Sequence, residues 1–391
     1  MVQVASLFNQ LLKHFPRTEF ATLVHKHQAE RRTKGFSCWT QFVAMLFCQL
    51  SRTDSLREIC NGLSCCLGKL VHLGIDRAPQ RSTLSYANKH RTAALFEDLF
   101  WTTLNRFRDQ QLFGERPKRF RFKNKLLSLD STTISLCLAL FPWASFKRTK
   151  GGVKAHVLLD HDDYMPRFVL LTPAKATDVR TAREIPIPAK SIVVSDRAYM
   201  DFRRFAQWTQ QNIYFVCRLP KYPLYRVISD NPISSKGTVL SDQTVQFTGR
   251  YSRQYPDPLR RITVHMDGED QPLILITNLM NFAPSTIANI YRERWQIEVF
   301  FKTLKQTLKI KTFVGTTENA LRIQIWTALI AILLLKWLHH LSKARWSLSN
   351  LASMLRLNLF TYRELQAWLD NPFSTPPLPP PPPDQFLLAF R

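Results

Sequence analysis

The sequence predicts a mixed α/β sheet flanked by helices, preceded by a helical segment and interrupted by a β-rich insertion. Three observations lead there. Residues 1 to about 115 carry apolar side chains at helical spacing. From residue 126 onward, short β-branched runs alternate with amphipathic stretches, the texture of strands and helices packed in layers. Residues 221 to 282 break that alternation: Pro, Ser, Asp, Tyr and Arg surround short β-like runs.

In the helical part, Phe42–Leu50 is apolar-rich, and Leu56, Ile59, Leu63, Leu67, Leu70 and Leu73 recur at helical spacing. Pro79 interrupts the chain. Ser82 is placed to cap a new helix carrying Tyr86, Lys89, His90 and Arg91, which suits a DNA backbone or a solvated face. Residues 116–125, RPKRFRFKNK, interleave basic side chains with two Phe, as a phosphate path or a surface linker would.

The sheet is expected from Leu126 to Asp130, a strand ending in an acid, then Lys154–Leu159 and Arg167–Leu171, joined as a hairpin by the turn Asp160–Asp163. Thr177–Glu184 reads as a short helix and Ile192–Val194 as a strand running into Ser195 and Asp196. Asp201–Gln211 is an amphipathic helix and Ile213–Cys217 a fifth strand. In the insertion, Thr244–Phe247 and Arg261–His265 are short strands, and Leu273–Thr277 returns the chain to the core. Pro284 opens a long helix reaching about Ile310, and apolar helix follows through Leu338. Thr375–Pro383 is a polyproline run that cannot join a core. The organisation expected is therefore 1–118 helical and DNA-binding, 119–220 first part of the core, 221–282 insertion, 283–345 second part of the core, and 346–391 tail.

Charge narrows the partner. The 391 residues include 54 Lys+Arg against 29 Asp+Glu, a net +25. Such a surplus implies a polyanion, nucleic acid first and anionic membrane second. The N-terminal stretch lacks the basic-then-apolar pattern of a secretory signal. The longest apolar run, Trp326–Leu335, falls short of the roughly 20 residues a bilayer needs and reads as a buried helix. Seven Cys without a Cys-x-x-Cys pair argue against a zinc site or a disulfide framework and suit a reducing cytoplasm.

The strongest local signal is Tyr291-Arg-Glu-Arg294-Trp-Gln-Ile-Glu298-Val-Phe-Phe-Lys-Thr-Leu-Lys305. On a regular helix Tyr291, Arg294, Glu298 and Lys305 fall within roughly 60° of one another. Ile290, Ile297, Phe300, Phe301, Leu304 and Leu308 form a neighbouring apolar face. An acid within a basic stripe makes sense where a cation sits between it and a phosphate. The plainer reading is an i,i+4 pair of Arg294 with Glu298, stabilising by a few tenths of a kcal/mol, about 0.3–0.5.

This spacing resembles the Tyr-Arg-Glu-Lys signature of the IS-four-type bacterial transposases, and the surrounding text is similar to theirs. Leu-Leu-Ser-Leu-Asp130 and Ile-Val-Val-Ser-Asp196 also resemble that family's two aspartate motifs. The long gap from Asp196 to Glu298 is what the insertion would produce. The resemblance covers roughly residues 120–340, with the helical leader similar to that of some relatives.

The resemblance implies a ribonuclease H-like core, with the first and fourth strands adjacent and Asp130, Asp196 and Glu298 converging as metal ligands and catalytic acids. It implies two Mg²⁺ ions, with Mn²⁺ able to substitute, and cut-and-paste strand cleavage and strand transfer. Water would nick at the transposon end, and the 3′-OH would then attack the opposite strand or target DNA. Asp130 would bridge both ions. Tyr291, Arg294 and Lys305 would hold phosphates of the transposon end. It further implies double-stranded DNA as partner (transposon ends and target), a homodimer pairing the two ends, no membrane, and a bacterial cytoplasmic, nucleoid-associated location. In relatives the insertion can carry an aromatic that stacks on a flipped base; with no Trp between 221 and 284, Tyr251 is one candidate.

Other clusters read differently. Asp160, His161, Asp162 and Asp163 suit a hairpin turn. Asp178 is an outer-shell group or a turn or helix cap. His339-His340 suits a helix C-terminus, Cys60, Cys65 and Cys66 are thiols without ligand spacing, and Gly151-Gly152 reads as a turn. The rival functions are a purely hydrolytic nuclease of the same fold, a catalytically inactive DNA-binding descendant, and a membrane-associated basic protein.

Overall fold

The computed structural model describes residues 5–376 apart from 32, 34, 67, 115–118, 148, 149, 221–223, 235, 236, 267–270, 308–312 and 375. Leu67, Leu308, the first three residues of the basic run and nearly all of the polyproline stretch lie outside them. The chain divides into two compact units, Met1–Glu115 with Thr303–Arg391, and Arg116–Lys302.

The first unit begins with helices α1 (Leu7–Leu12), α2 (Arg17–Lys26), α3 (Cys38–Ser51), α4 (Leu56–Ser64), α5 (Arg81–His90) and α6 (Ala94–Asp109). Local chemistry sets several of their starts. The Ser37 side chain accepts from Thr40 N ahead of α3, satisfying an amide that a helix end leaves bare. Ser55 accepts from Glu58 N, and the Glu58 carboxylate reaches back to Asp54 N, which closes the start of α4. Ser82 does not cap α5: that helix follows Gln80 without a side-chain cap, and Ser82 sits exposed on its first turn. Arg91 is buried, donating to Gln41 Oε1 at 3.2 Å, so it belongs to the interior and not to a DNA-facing stripe.

The second unit is a sheet: β1 (Leu126–Leu136), β2 (Ser145–Lys147), β3 (Lys150–Asp160), β4 (Pro166–Pro173), α7 (Asp178–Ala182), β5 (Ile192–Ser195), α8 (Phe202–Gln210), β6 (Tyr214–Arg218), β7 (Tyr225–Asp230), β8 (Val239–Phe247), β9 (Leu259–Val264), β10 (Leu273–Thr277), α9 (Pro284–Arg292) and α10 (Trp295–Lys302). Among the described residues its strand order is β2-β3-β1-β5-β6-β10-β9-β8-β7, with β4 also on β3. β1, β5 and β6 are parallel; the remaining pairs are antiparallel. The strands of residues 225–277 thus continue the same sheet, entering through β10 on β6.

Alternation along the strands sorts the two faces. Leu127, Leu129 and Val193 pack with Phe205, Trp208 and Phe215 on the α8 face. Leu126, Ile192 and Val194 pack with Ile287, Ile290 and Tyr291 on the α9 face. Because side chains alternate with period two, Ser128 and Asp130 share the α9 face with Leu126, and Asp196 continues the parity of Ile192 and Val194.

Three expectations change here. β1 does not end at Asp130; it runs to Leu136 because β3 pairs with it along its whole length. Gly151 and Gly152 are not a turn but lie in β3, where a Cβ would press on the Leu136 and Ile134 carbonyls. The long helix from Pro284 breaks at Glu293 and Arg294 into α9 and α10. Around the break the backbone bonds shorten to the i−3 carbonyl, Arg294 N to Tyr291 O at 3.0 Å and Ile297 N to Arg294 O at 3.1 Å.

The chain re-enters the first unit on a π-helical turn, Thr303–Thr307, then α11 (Glu318–Leu341), α12 (Leu348–Asn358) and α13 (Leu365–Asp370). The whole helix α11 is long and apolar enough to cross a membrane, longer than the apolar run suggested, yet 89% of its most apolar part is buried in the protein. It packs on α3 and α6. Part of the expected tail is therefore folded: Leu351, Leu355, Trp368 and Leu369 are buried.

Candidate active site

The site is assembled at the end of the parallel β1–β5 pairing. The register matches Leu129 with Ser195, so Asp130 and Asp196 follow side by side on neighbouring strands. α10 lies against β1 and supplies Glu298. Arg294 joins the set: its Nη1 is 2.7 Å from Glu298 Oε1 and 3.7 Å from Asp130 Oδ2. One guanidinium thus faces two carboxylates.

Asp130 is mostly buried. Burial first, then the charges of Asp196 and Glu298, push its carboxyl up to about 7, against the Ser131 amide (2.7 Å) and Arg294. Asp196 accepts from Ala198 N at 2.9 Å. Three acids that feel one another, with one cation among them, make an electrostatic deficit. Among the described residues no group of three His, Cys, Asp or Glu side chains is gathered tightly enough to hold a metal ion. The donors are nevertheless of the right kind for a hard divalent cation, all carboxylate oxygens, and Arg294 supplies the positive charge that now keeps Asp130 and Glu298 together.

Tyr291 is buried among Ile192, Val194 and Ile287, and burial pushes its phenol up to about 12. The Arg294 guanidinium lies 5.8 Å from its ring centroid, so Tyr291 supports Arg294 from beneath. Lys305 falls in the other compact unit, half-buried on the π-helical turn. The break at 293–294 and the π-helical turn at Thr303–Thr307 depart from the regular helix on which Tyr291, Arg294, Glu298 and Lys305 project into one line. Tyr251 is half-buried against Phe202, ring centroids 4.8 Å apart.

Two further groups lie beside the acids: Glu293, to which the sequence assigns no role, and Asp178, expected to be an outer-shell group or a turn or helix cap. Glu293 is 3% exposed, although it lies at a helix break. It pairs with Arg119, and its Oε2 lies 3.8 Å from His161 Nδ1. Burial opposes its charge, but His161 and Arg119 hold it below the usual carboxylate range. His161 Nε2 in turn meets Ser128 Oγ at 2.7 Å, on the same face of β1 as Asp130. Glu293 therefore ties the Glu298 helix to the Asp130 strand. The second group is Asp178, the first residue of α7 and not its cap. It accepts from Ser131 Oγ (2.7 Å) and Lys154 Nζ (3.2 Å). His156, 3.5 Å away, is driven down to about 4 by burial and stays neutral. A buried acid inside an apolar-looking helix is the only sequence sign for Glu293. The partners of Asp178 sit on β1 and β3.

The acidic turn behaves as expected of a hairpin. Asp160 accepts from Arg167 Nε (2.6 Å), Lys125 Nζ (3.3 Å) and Asp162 N (3.0 Å). His339 meets Trp346 O at 2.9 Å. All seven Cys are free thiols.

Residues 121–334 match the family described as Transposase DDE domain, and residues 3–76 the one described as Domain of unknown function (DUF4372). The "Probable transposase for insertion sequence element IS5377" of Geobacillus stearothermophilus is 32% identical over 234 residues, 59% of this chain and 61% of that protein. The chain thus spans less than two thirds of that relative. The "Putative transposase y4zB" of Sinorhizobium fredii is 30% identical over 308 residues, 78% of this chain and 83% of that one. The "Putative transposase for insertion sequence element IS4SA" of Synechocystis is 27% identical over 275 residues, 66% of this chain and 71% of that one. Among solved structures, a piggyBac transposase synaptic complex with hairpin DNA aligns at TM-score 0.40 and 12% identity, over 90% of this chain and 80% of that one. That likeness is too low to bear on fold or chemistry.

Proposed function

The chain belongs to the DDE-domain transposases, metal-dependent enzymes that cleave and join DNA, and on that premise we propose that Asp130, Asp196 and Glu298 are its three metal-binding acids. The observation that carries this is the pairing of β1 with β5, which sets Asp130 beside Asp196, together with the Arg294 link from Asp130 to Glu298. The strand order β4-β3-β1-β5-β6 supports a ribonuclease H-like core. The Tyr291, Arg294, Glu298 spacing supports the IS-four type.

An all-carboxylate donor set favours Mg²⁺, with Mn²⁺ as substitute. When bound, two such ions supply Lewis-acid stabilisation of the attacking and leaving oxygens. The protein's own contribution is placement. β1 and β5 hold two acids rigidly, and α10 brings the third. Arg294, paired with Glu298 and 3.7 Å from Asp130, offsets only part of their charge, and would be free to meet a DNA phosphate with a cation bound by the acids. Tyr291 braces Arg294 from the core. No side-chain nucleophile is required. Hydrolysis at a transposon end leaves a 3′-OH, and that hydroxyl then attacks a phosphodiester of either the opposite strand or target DNA, its new P–O bond replacing the P–O3′ bond there, whose oxygen leaves as a 3′-OH. The substrate is duplex DNA, and two paired ends call for two copies of the chain acting together.

The test is cleavage of a labelled duplex carrying the element's own end, with Mg²⁺, by wild type and by Asp130→Ala, Asp196→Ala and Glu298→Ala. The expected result is a 3′-OH end or hairpin from wild type, and a loss of at least ~10³-fold in each variant that still binds DNA. A variant that cuts as well as wild type removes that residue from the set. Cleavage without any joined product supports a purely hydrolytic enzyme, and binding without cleavage an inactive descendant.

A further inference from the structure

The transposase family accounts for residues 121–334, while 3–76 match a domain of unknown function and the stretch between them matches neither. Across that stretch the first unit presents a basic groove of about 810 Å³. It is lined by α4 (Arg57), α5 (Arg81, Ser82, Ser85, Tyr86, Lys89, His90) and the Asp54 turn, with Phe313 and Val314 at its end.

The face of α5 explains what such a groove fits. Leu84, Ala87 and Asn88 are buried, so the helix is fixed on its unit by one side. Arg81, Ser82, Ser85, Tyr86 and Lys89 all lie exposed on the other. Arg81 and Lys89 are two helical turns apart, about 12 Å along the axis, with two short serines and a tyrosine between them. Small side chains flanked by cations let a helix approach a polyanion closely, while the cations take phosphates. Tyr86 is 67% exposed, unusual for so large a ring. Its centroid lies 4.2 Å from that of His90, which steadies it. Among the described residues, Arg57, Arg81 and Lys89 have no carboxylate within ion-pair distance. Asp54 is the one acid among the lining residues.

We propose that this groove is a duplex-DNA site, with Arg57, Arg81 and Lys89 on phosphates and Tyr86 against base or sugar edges. The proposal rests on the reading of the chain as a DNA transposase and assigns one of its DNA contacts to α5. It replaces Arg91, which faces inward, by Arg81 and Arg57.

The test measures fluorescence anisotropy of the full chain in EDTA, so that nothing is cut. The probes are a labelled duplex of the element's own end and an unrelated duplex of equal length, each across a salt series. Arg81→Ala/Lys89→Ala is expected to weaken both about tenfold and to flatten the slope of log K against log salt by about 2. Tyr86→Ala is expected to weaken the element's end several-fold more than the unrelated duplex. Lys343→Ala/Arg345→Ala, which removes equal charge from another surface of the same unit, is expected to bind as wild type. Circular dichroism of each variant checks the fold. Losses as large in that control, or wild-type binding by the α5 double variant, overturn the groove while leaving the transposase reading intact. A folded wild type that binds neither duplex overturns both.

Discussion

Asp130 and Asp160 are both largely buried aspartates of one sheet, the first in β1 and the second at the end of β3. Asp160 has Arg167, Lys125 and a backbone amide, and these outweigh burial to hold it below the ordinary carboxylate range. Asp130 has one amide, a shared guanidinium at 3.7 Å and two neighbouring acids, and is pushed up to about 7. The difference separates structure from function. A buried acid whose charge is fully answered holds a turn together, and one whose charge is left unanswered waits for something the protein does not itself supply.

The largest effect expected from this contrast is on the answered acid. Asp160→Ala leaves Lys125 and Arg167 without their partner and costs about 3 kcal/mol of stability in urea unfolding. Because the folded Asp160 pKa is depressed, its contribution is present above the ordinary carboxylate range and lost as pH falls through the depressed value. The deficit of the variant therefore narrows in acid. A deficit that is unchanged by pH would break the assignment.

Next comes the tie between the two acid-bearing elements. Glu293→Gln keeps the size of the side chain but removes the charge facing His161 and Arg119. Cleavage is expected to fall about tenfold, with the circular dichroism of the fold retained. His161→Asn is expected to add little on top of Glu293→Gln, since both act through one link. Fully additive losses would show that Glu293 and His161 act separately.

The smallest effect has the opposite sign. Asp130→Asn removes a carboxylate whose folded pKa is raised, so the metal-free wild type loses stability as pH rises from the ordinary carboxylate range up to about 7, and the whole penalty is present above that. The variant is expected to melt about 2–4 °C higher than wild type at pH 8 without metal, the shift that ~1 kcal/mol produces in a domain of this size. Below the ordinary carboxylate range, where the group is protonated in both states, the two should melt alike. A variant less stable than wild type at pH 8 would mean that Asp130 is satisfied after all.

Much of this was legible in the sequence, for reasons that the misreadings sharpen. The runs ending at Asp130 and Asp196 declare strands because burial on both faces demands continuous apolar residues. The Asp160 turn is legible because its ligands are local. The length of β1 was not, since Thr132–Leu136 is strand only by pairing with β3, some twenty residues on. The break at Glu293 was not, because the apolar spacing runs through it; the carboxylate at the break is held by Arg119 and His161, both more than a hundred residues away in sequence. α12 and α13 are short helices stabilised by packing on α11, and the neighbouring polyproline composition masks them.

The central claim is that Asp130, unlike Asp160, is an acid awaiting a cation, and calorimetric titration of Mn²⁺ into the full chain tests it directly. Wild type and Asp160→Asn should bind alike, while Asp130→Asn and Asp196→Asn lose at least about tenfold in affinity. Equal binding by Asp130→Asn, or its loss in a folded Asp160→Asn, would contradict the account.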